Sequence, residues 1–183
     1  MQTNALPVMD MSANTTGCCP RFDPRGWDGR HLHFKNKPFV RATTRSLLHV
    51  PVNMGKVFTR VQGHIEPAGA QDPDGYLVLS RDLSATEGEH LFAVTGPVPE
   101  EEMTTLSGDF MTRVFEGSYR KAADWVHEME IAAKAGGHVA GRIYMFYTTC
   151  PKCARTYGEN YVIGIAEIKG DPGKTREQAN EGS

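Results

Sequence analysis

The chain has 183 residues, a formal net charge of -2 and four cysteines. A chain of this length can bury a core of its own as one domain or two half-domains. Its near-neutral charge, with Lys and Arg scattered, argues against the basic surface of a nucleic-acid-binding domain. No apolar run reaches the roughly 20 residues that cross a bilayer, and no secretory signal is recognised, so we expect a cytoplasmic protein without membrane or nucleic-acid partners.

The ends of the chain differ in composition from the rest. Residues 1–17 are polar without a period, and residues 170–183 combine Gly, Pro and charge, so both are predicted to be mobile. Residues 18–38 carry Cys, Pro, Gly and Trp at short intervals, which predicts an ordered loop with at most one short strand, His31 to Phe34. Loops this long are usually functional.

A strand, a helix and a hairpin are predicted over residues 39–97. The β-branched residues of 40–52 indicate the strand, and Asn53 fits the N-cap of the helix that follows. Val57, Val61 and Ile65 then recur at helical spacing. Two short apolar runs, at 76–80 and 91–95, indicate a hairpin with a polar connection.

The same order of elements is predicted again over residues 102–169. Residues 102–116 alternate as a strand, and Trp125, Met129 and Ala133 recur at helical spacing. Strands at 142–149 and 161–168 form a closing hairpin whose connection is CPKCARTYGEN. The repeated order predicts an α+β protein made of two βαββ modules with antiparallel sheets, one helix per module and a cleft between the modules.

The sequence FEGSYRKAADWVHEM, with Gly117-Ser118-Tyr119 at the end of a strand and Trp125 in the next helix, resembles the GyrI-like small-molecule-binding domain. The resemblance covers residues 39–168. The stretches CCPRFDPRGWDG and YTTCPKCARTYGENYV also resemble a bacterial branch labelled hydrolase. The resemblance implies a pseudo-twofold axis between the modules and an open groove for planar or cationic organic molecules, which some members hydrolyse and others only bind.

Four cysteines in a reducing compartment favour metal binding or thiol chemistry over disulfides. The CxxC of Cys150 and Cys153 has the form of a zinc knuckle, which Cys18 and Cys19 would complete. Because adjacent residues reach one metal only with strain, His31 or His33 is an alternative ligand. A redox dithiol and simple packing of thiols remain the other interpretations.

Carboxylates and tyrosines of the second module are the catalytic candidates. A carboxylate beside a phenol can orient and activate water while aromatic walls hold a flat substrate. Ordinary strand positions and solvated charges are the competing interpretation. The predicted catalytic residues are Glu116, Tyr147, Glu159, Tyr161 and Glu167.

Four further residues are candidates for substrate binding. Arg45 and His49 are expected on one face of the first strand, where Arg45 would meet an anionic group or form a surface ion pair. Trp27 is expected to cap the groove or to anchor its loop, and Tyr119 belongs to the Gly-x-Tyr turn.

The sequence therefore predicts a hydrolase of a planar or electrophilic organic compound, or else a non-catalytic binder that sequesters such a compound or modulates a partner protein. No P-loop, nucleophile elbow or dinucleotide fingerprint is present. The hydrolysis needs no cofactor, a structural zinc is the one metal expected, and the protein is a monomer or homodimer.

Overall fold

The structure is a computed structural model that describes residues 2–72 and 75–170, and these residues form seven β-strands and three α-helices. The strands are β1 (His31–Leu47), β2 (Val50–Pro51), β3 (Val78–Ser84), β4 (Glu87–Ala93), β5 (Glu102–Glu116), β6 (His138–Tyr147) and β7 (Tyr161–Gly170), and the helices are α1 (Met54–Ile65), α2 (Ala122–Ala135) and α3 (Pro151–Tyr157).

The strands form one antiparallel sheet that closes on itself. Their order is β2-β1-β4-β3-β6-β7-β5, and β1 also pairs with β5 in a ladder that runs from His31 opposite Met111 to Arg41 opposite Glu102. On the other side β3 meets β6 where Ser80 lies opposite Met145. The six longer strands therefore form a ring with an inner face and an outer face.

Each half of the ring has the predicted order strand, helix, strand, strand. In the first half β1 pairs with β4 and β4 with β3, and in the second half β5 pairs with β7 and β7 with β6. The α+β class is thus confirmed. The pseudo-twofold relation between two separate modules stays a prediction, because a single continuous sheet joins the halves.

The two helices of the repeat pack on the outer face because each has an apolar residue at every fourth position. Helix α1 buries Val57, Val61 and Ile65, and α2 buries its own stripe in the same way. The inner face has a separate core, here called the inner core. Two of its residues, Phe22 and Trp27, come from the segment before β1. The inner core consists of Phe22, Trp27, Leu32, Phe34, Phe39, Leu77, Leu79, Leu91, Leu106, Phe110, Tyr144, Phe146, Ile163 and Ile165.

Two predicted loops form regular structure instead. Strand β1 begins at His31 and passes through a bulge near Asn36, whose φ is 49°, so residues 31–38 belong to the sheet. The connection between β6 and β7 contains α3, because Pro151 stands in its first turn and the Cys150 side chain accepts a hydrogen bond from Cys153 N. The CPKC therefore opens a helix and does not lie in a plain hairpin turn.

The N-terminal residues, which composition predicts to be mobile, contact the sheet. Asn4 N donates to His33 O at 2.8 Å, and the Asn4 side chain bonds both the N and the O of Lys35. The predicted mobile tail at 171–183 lies outside the described residues. None of the helices in the described ranges is long and apolar enough to cross a membrane.

Gly164 of β7 lies directly beneath α2. A Cβ atom at this position would lie 2.6 Å from Met129 Sδ and 2.8 Å from Phe115 Cε2, so the helix and strand would have to separate. We expect Gly164→Ala to lower the free energy of unfolding by about 1–3 kcal/mol, measured by urea denaturation.

Gly63, in the interior of α1, is the matched control because a Cβ atom there meets nothing within 4 Å. We expect Gly63→Ala to raise the free energy of unfolding by about 0.5–1 kcal/mol. A Gly164→Ala protein as stable as the wild type would show that α2 does not pack on β7 as described.

Candidate functional site

The inner face carries paired charges beside its aromatic core. Glu89 of β4 is held by two arginines from the neighbouring strands, with Arg41 Nε 2.7 Å from Oε1 and Arg81 Nε 2.7 Å from Oε2. Burial alone would raise the pKa of Glu89, but the hydrogen bonds and charges of the two arginines together lower it. Each Glu89 oxygen thus already accepts a charged hydrogen bond.

A second carboxylate, Glu167 of β7, is bound mainly through one oxygen. Arg142 Nε lies 2.9 Å from Oε2, whereas the cation nearest to Oε1, Lys169 Nζ, is 3.9 Å away. Arg142 lies within a register shift of the β6–β7 ladder, between Ala140 and Ile143. Burial raises the pKa of Glu167, but Arg142 outweighs it, so the pKa is lowered and the carboxyl is ionised at neutral pH.

The Tyr144 hydroxyl lies among these charges. Tyr144 is fully buried, and the Arg81 guanidinium lies 5.6 Å from the centroid of its ring. Among the described residues, the buried side-chain nitrogen and oxygen atoms without a hydrogen-bond partner are Tyr144 Oη and Trp27 Nε1, both in the inner core. Burial raises the pKa of Tyr144, against the opposing charges of Arg142 and Arg81, so its phenol is neutral.

We call this group of residues the inner charged cluster. Its carboxylates are 7% and 12% exposed, whereas its guanidinium side chains are 30–40% exposed, so the arginines form the solvent-facing rim. The members are Arg41, Arg81, Glu89, Arg142, Tyr144 and Glu167.

The register of β6 and β7 places Tyr144 and Glu167 on the same face. Tyr144 lies opposite Ile165, so Glu167 is its diagonal neighbour, with Cα atoms about 7–8 Å apart. A neutral phenol donor and an ionised carboxylate at neighbouring positions of one face can bind two ends of one polar group. They can equally hold a water molecule beside a reacting atom.

Three predicted catalytic residues lie at the opposite end of β7. Tyr161 is six residues from Glu167, roughly 20 Å along the strand, and Glu116 lies opposite Tyr161 on β5. Glu159 is paired with Arg21, whose Nε lies 2.7 Å from Oε1. The lining of an open surface cavity of about 310 Å³ comprises Asp10, Ala13, Arg21, Phe22, Asp23, Pro24, Glu159 and Tyr161.

Two predicted tyrosines pack on the outer face beside α2, away from both places. The rings of Tyr119 and Tyr147 lie 5.7 Å apart, and Tyr119 Oη donates to Thr149 O at 2.7 Å. Tyr147 alternates with Phe146, which faces the inner core, so strand alternation directs it outward. The structure therefore brings neither tyrosine to the inner face.

The remaining substrate-binding candidates also separate. Trp27 is buried between Phe22 and Phe146, with ring centroids 6.0 and 5.8 Å away, so it lies within the inner core. Arg45 is exposed on β1. His49 lies in the turn after β1 at φ 66° and bonds Asp82, so the expected shared strand face with Arg45 is wrong.

The four cysteines come together at a third place. Cys18 and Cys19 precede Phe22 and Trp27 in the chain, while Cys150 and Cys153 begin α3. Their four Sγ atoms all lie within 4.8 Å of one another. His33, the alternative ligand, instead places Nδ1 2.7 Å from Asp109 Oδ1.

Sequence reasoning found Glu167 but missed the rest of the inner charged cluster as a group. The sequence predicts a polar hairpin connection at Arg81 and Glu89, but in the structure they are strand residues opposite each other. The sequence of residues 79–91, LSRDLSATEGEHL, has no apolar alternation, so it offers no signal of period 2 for these two strands.

A family described as Bacterial hydrolase matches residues 9–168, so the chain belongs to the bacterial hydrolase family. This match confirms the branch that the two cysteine-containing stretches resemble. It spans both halves of the ring and includes Cys18 and Cys19. No curated protein matches the chain.

Two solved structures are similar to this chain. SAV2435, solved bound to tetraphenylphosphonium, is 12% identical with a TM-score of 0.48, and the match covers 78% of this chain and 94% of that chain. A Staphylococcus aureus MU50 protein, described in terms of bacterial transcription regulation, is 16% identical with a TM-score of 0.48, and the match covers 79% of this chain and all of that chain.

The unpartnered Tyr144 hydroxyl predicts an unusual effect on stability. An unsatisfied buried hydroxyl costs about 1–3 kcal/mol, so we expect Tyr144→Phe to leave the free energy of unfolding unchanged or to raise it by about 1 kcal/mol. In Tyr119→Phe, the matched control, the hydroxyl that donates to Thr149 O is lost, and the free energy should fall by about 0.5–1.5 kcal/mol. Equal losses in urea denaturation would show that the Tyr144 hydroxyl is satisfied in the resting protein.

Proposed function

We propose that the protein binds a planar or electrophilic organic compound at the inner charged cluster and hydrolyses it with Glu167 and Tyr144. The observation that carries the proposal is the Tyr144 hydroxyl, which is buried, neutral and without a partner among charged side chains. A buried hydroxyl without a protein partner can donate to a ligand or to an ordered water molecule, and the charged side chains around Tyr144 suit a polar ligand group. Membership of the bacterial hydrolase family supports the reaction class.

In the proposed reaction, Glu167 activates water and Tyr144 stabilises the leaving oxygen. With an aryl epoxide as the model substrate, a water oxygen attacks a ring carbon and its proton passes to Glu167 Oε1. The C–O bond of the ring breaks, and Tyr144 Oη gives its proton to the released oxygen, so that the product is a diol. The proton on Glu167 then returns to the Tyr144 phenolate through solvent, which restores both groups.

The arginines of the cluster set these protonation states. Arg142 holds Glu167 Oε2 and keeps the carboxylate ionised, while the Oε1 atom remains able to accept from water. Arg81 faces the Tyr144 ring and also fixes Glu89 together with Arg41. Glu89 is the less suitable base, because both of its oxygens already accept a guanidinium hydrogen bond.

A non-catalytic binder is the second candidate, and the lowered pKa of Glu167 favours it. A carboxylate that holds its proton weakly is a weak general base, yet it remains a good acceptor for a ligand donor. Such a protein would sequester the compound unchanged or use it to modulate a partner protein. The same cluster would provide the binding site.

Turnover of an aryl epoxide, styrene oxide, tests the proposal by chromatographic measurement of the diol. We expect Glu167→Gln to lower the rate at least 100-fold, because the amide cannot accept the proton of water. Tyr144→Phe should lower the rate by a similar factor while the protein stays folded. Glu130→Gln, an exposed change on α2, is the control and should keep the wild-type rate.

The remaining outcomes would change either the site or the function. Loss of turnover in Glu159→Gln, with full turnover in Glu167→Gln, would place the chemistry at the surface cavity beside Tyr161. If the protein binds one equivalent of styrene oxide without altering it, and Tyr144→Phe abolishes this binding, the protein is a non-catalytic binder. If the protein neither binds nor turns over styrene oxide, phenyl acetate or a phenylcyclopropane, the inner site is contradicted for both functions.

A further inference from the structure

We propose that Cys18, Cys19, Cys150 and Cys153 form a structural zinc site that ties the N-terminal arm, residues 2–30, to the connection between β6 and β7. This inference is independent of the function proposed above. It depends on the cluster of four Sγ atoms, which all lie within 4.8 Å of one another.

The spacing of the sulfur atoms fits zinc and does not fit disulfides. Four sulfurs at about 2.3 Å from a tetrahedral zinc ion are about 3.8 Å apart. Cys18 Sγ lies 3.7 Å from Cys19 Sγ and 4.0 Å from Cys150 Sγ. A disulfide needs sulfurs about 2.05 Å apart, and none of the four cysteines is in a disulfide.

Both adjacent cysteines reach the cluster, so the four cysteines supply four ligands without the alternative histidine, His31 or His33. Gly17, immediately before them, has φ 69°, a conformation that glycine adopts without strain. The chain therefore turns sharply enough for Cys18 and Cys19 to present their sulfurs to α3. On the other side, the first turn of α3 brings Cys150 and Cys153 together.

Hydrogen-bond donors surround the sulfurs in a way that suits thiolates. Cys150 N lies 3.4 Å from Cys19 Sγ, and Cys153 N lies 3.5 Å from Cys150 Sγ. The Thr16 hydroxyl lies 3.3 Å from Cys153 Sγ and can donate to it once the thiol has lost its proton. Donors of this kind orient and stabilise the ligands of a metal centre.

The site is structural because four thiolates complete the tetrahedral coordination of zinc and leave no position for a substrate. It joins two segments that are 131 residues apart in sequence, so it constrains a long loop. Tyr157 Oη, which donates to Cys19 O at 2.6 Å, and the Arg21–Glu159 pair reinforce the same junction. The arm then continues to Phe22 and Trp27 in the inner core.

Metal analysis of the purified full chain tests the site. Protein produced with zinc and handled under a reducing agent should contain about one zinc ion per chain. After the zinc is exchanged for Co²⁺, the protein should show thiolate-to-cobalt charge-transfer absorption and the intense red bands of tetrahedral cobalt. Cys18→Ser, a change at the exposed ligand, should weaken zinc retention at least 100-fold, whereas His33→Ala should retain the metal fully.

Three results would overturn the proposal. One is wild-type protein that takes up neither Zn²⁺ nor Co²⁺ and shows four thiols titrating with Ellman's reagent in the folded state. The other is full retention of zinc by Cys18→Ser and by Cys153→Ser. Iron and sulfide in place of zinc would also contradict it, because they would define an iron–sulfur cluster.

Limited proteolysis tests the role assigned to the metal. Removal of zinc with a chelator should release the N-terminal arm and increase tryptic cleavage after Arg21 and Arg25 at least tenfold. Cleavage after Arg120, which is exposed outside the arm, serves as the reference site. An arm that is cleaved at the same rate with and without bound zinc would mean that the metal does not hold it.

Discussion

The pairing of β1 with β5 is the interaction on which the rest of the structure depends. Each strand also pairs within its own half, β1 with β4 and β5 with β7. Together with the contact between β3 and β6, this pairing turns two three-stranded sheets into a ring, so that one face of every strand points inward. The helices cover the outer face, and the inner face is left to aromatic side chains, paired charges and the N-terminal arm.

The inner face is divided between apolar and charged side chains. Phe22 and Trp27 of the arm enter its aromatic part, where Phe146 contacts both rings. Beyond Tyr144 the same face becomes charged, with carboxylates buried and guanidinium groups at the rim. The proposed ligand, a compound with a flat apolar body and one polar end, would place each part against groups of its own kind. Cys18 and Cys19 of the cysteine cluster lie in the arm just before Phe22 and Trp27, so the cluster helps to position these two rings in the inner core.

The sequence was most informative where one period continues without interruption. The alternation in residues 102–116 predicted β5 as the structure has it, and apolar residues at every fourth position predicted α1 and α2. The first strand begins at His31, earlier than the predicted start at residue 40. The bulge near Asn36 shifts the alternation of side chains and resembles the end of a strand in the sequence. The polar residues between Leu79 and Leu91 resemble a connection in the sequence. They are strand residues because Glu89 pairs with arginines from two other strands, and a single stretch of sequence does not show such pairs.

The candidate site was harder to predict than the fold because strand position alone does not group residues in space. Tyr161 and Glu167 share a face as predicted, yet they lie at opposite ends of β7 and contribute to different surroundings. Tyr144 and Tyr147 are three residues apart in β6, so their side chains point to opposite faces of the sheet. Only the register with β7 shows which of the two faces inward. The cysteine cluster was predictable by residue type, whereas its geometry required the glycine turn and helix α3.

The central claim is that a ligand binds on the inner face, and the fluorescence of the two tryptophans tests it most directly. Trp27 belongs to the inner core, whereas Trp125 lies on the outer face and stacks on Phe115. In Trp125→Phe protein, where Trp27 is the remaining tryptophan, saturating styrene oxide should change the emission, and the change should be lost on Tyr144→Phe. An emission change in Trp27→Phe protein, which keeps Trp125, together with no change in Trp125→Phe protein would contradict binding on the inner face.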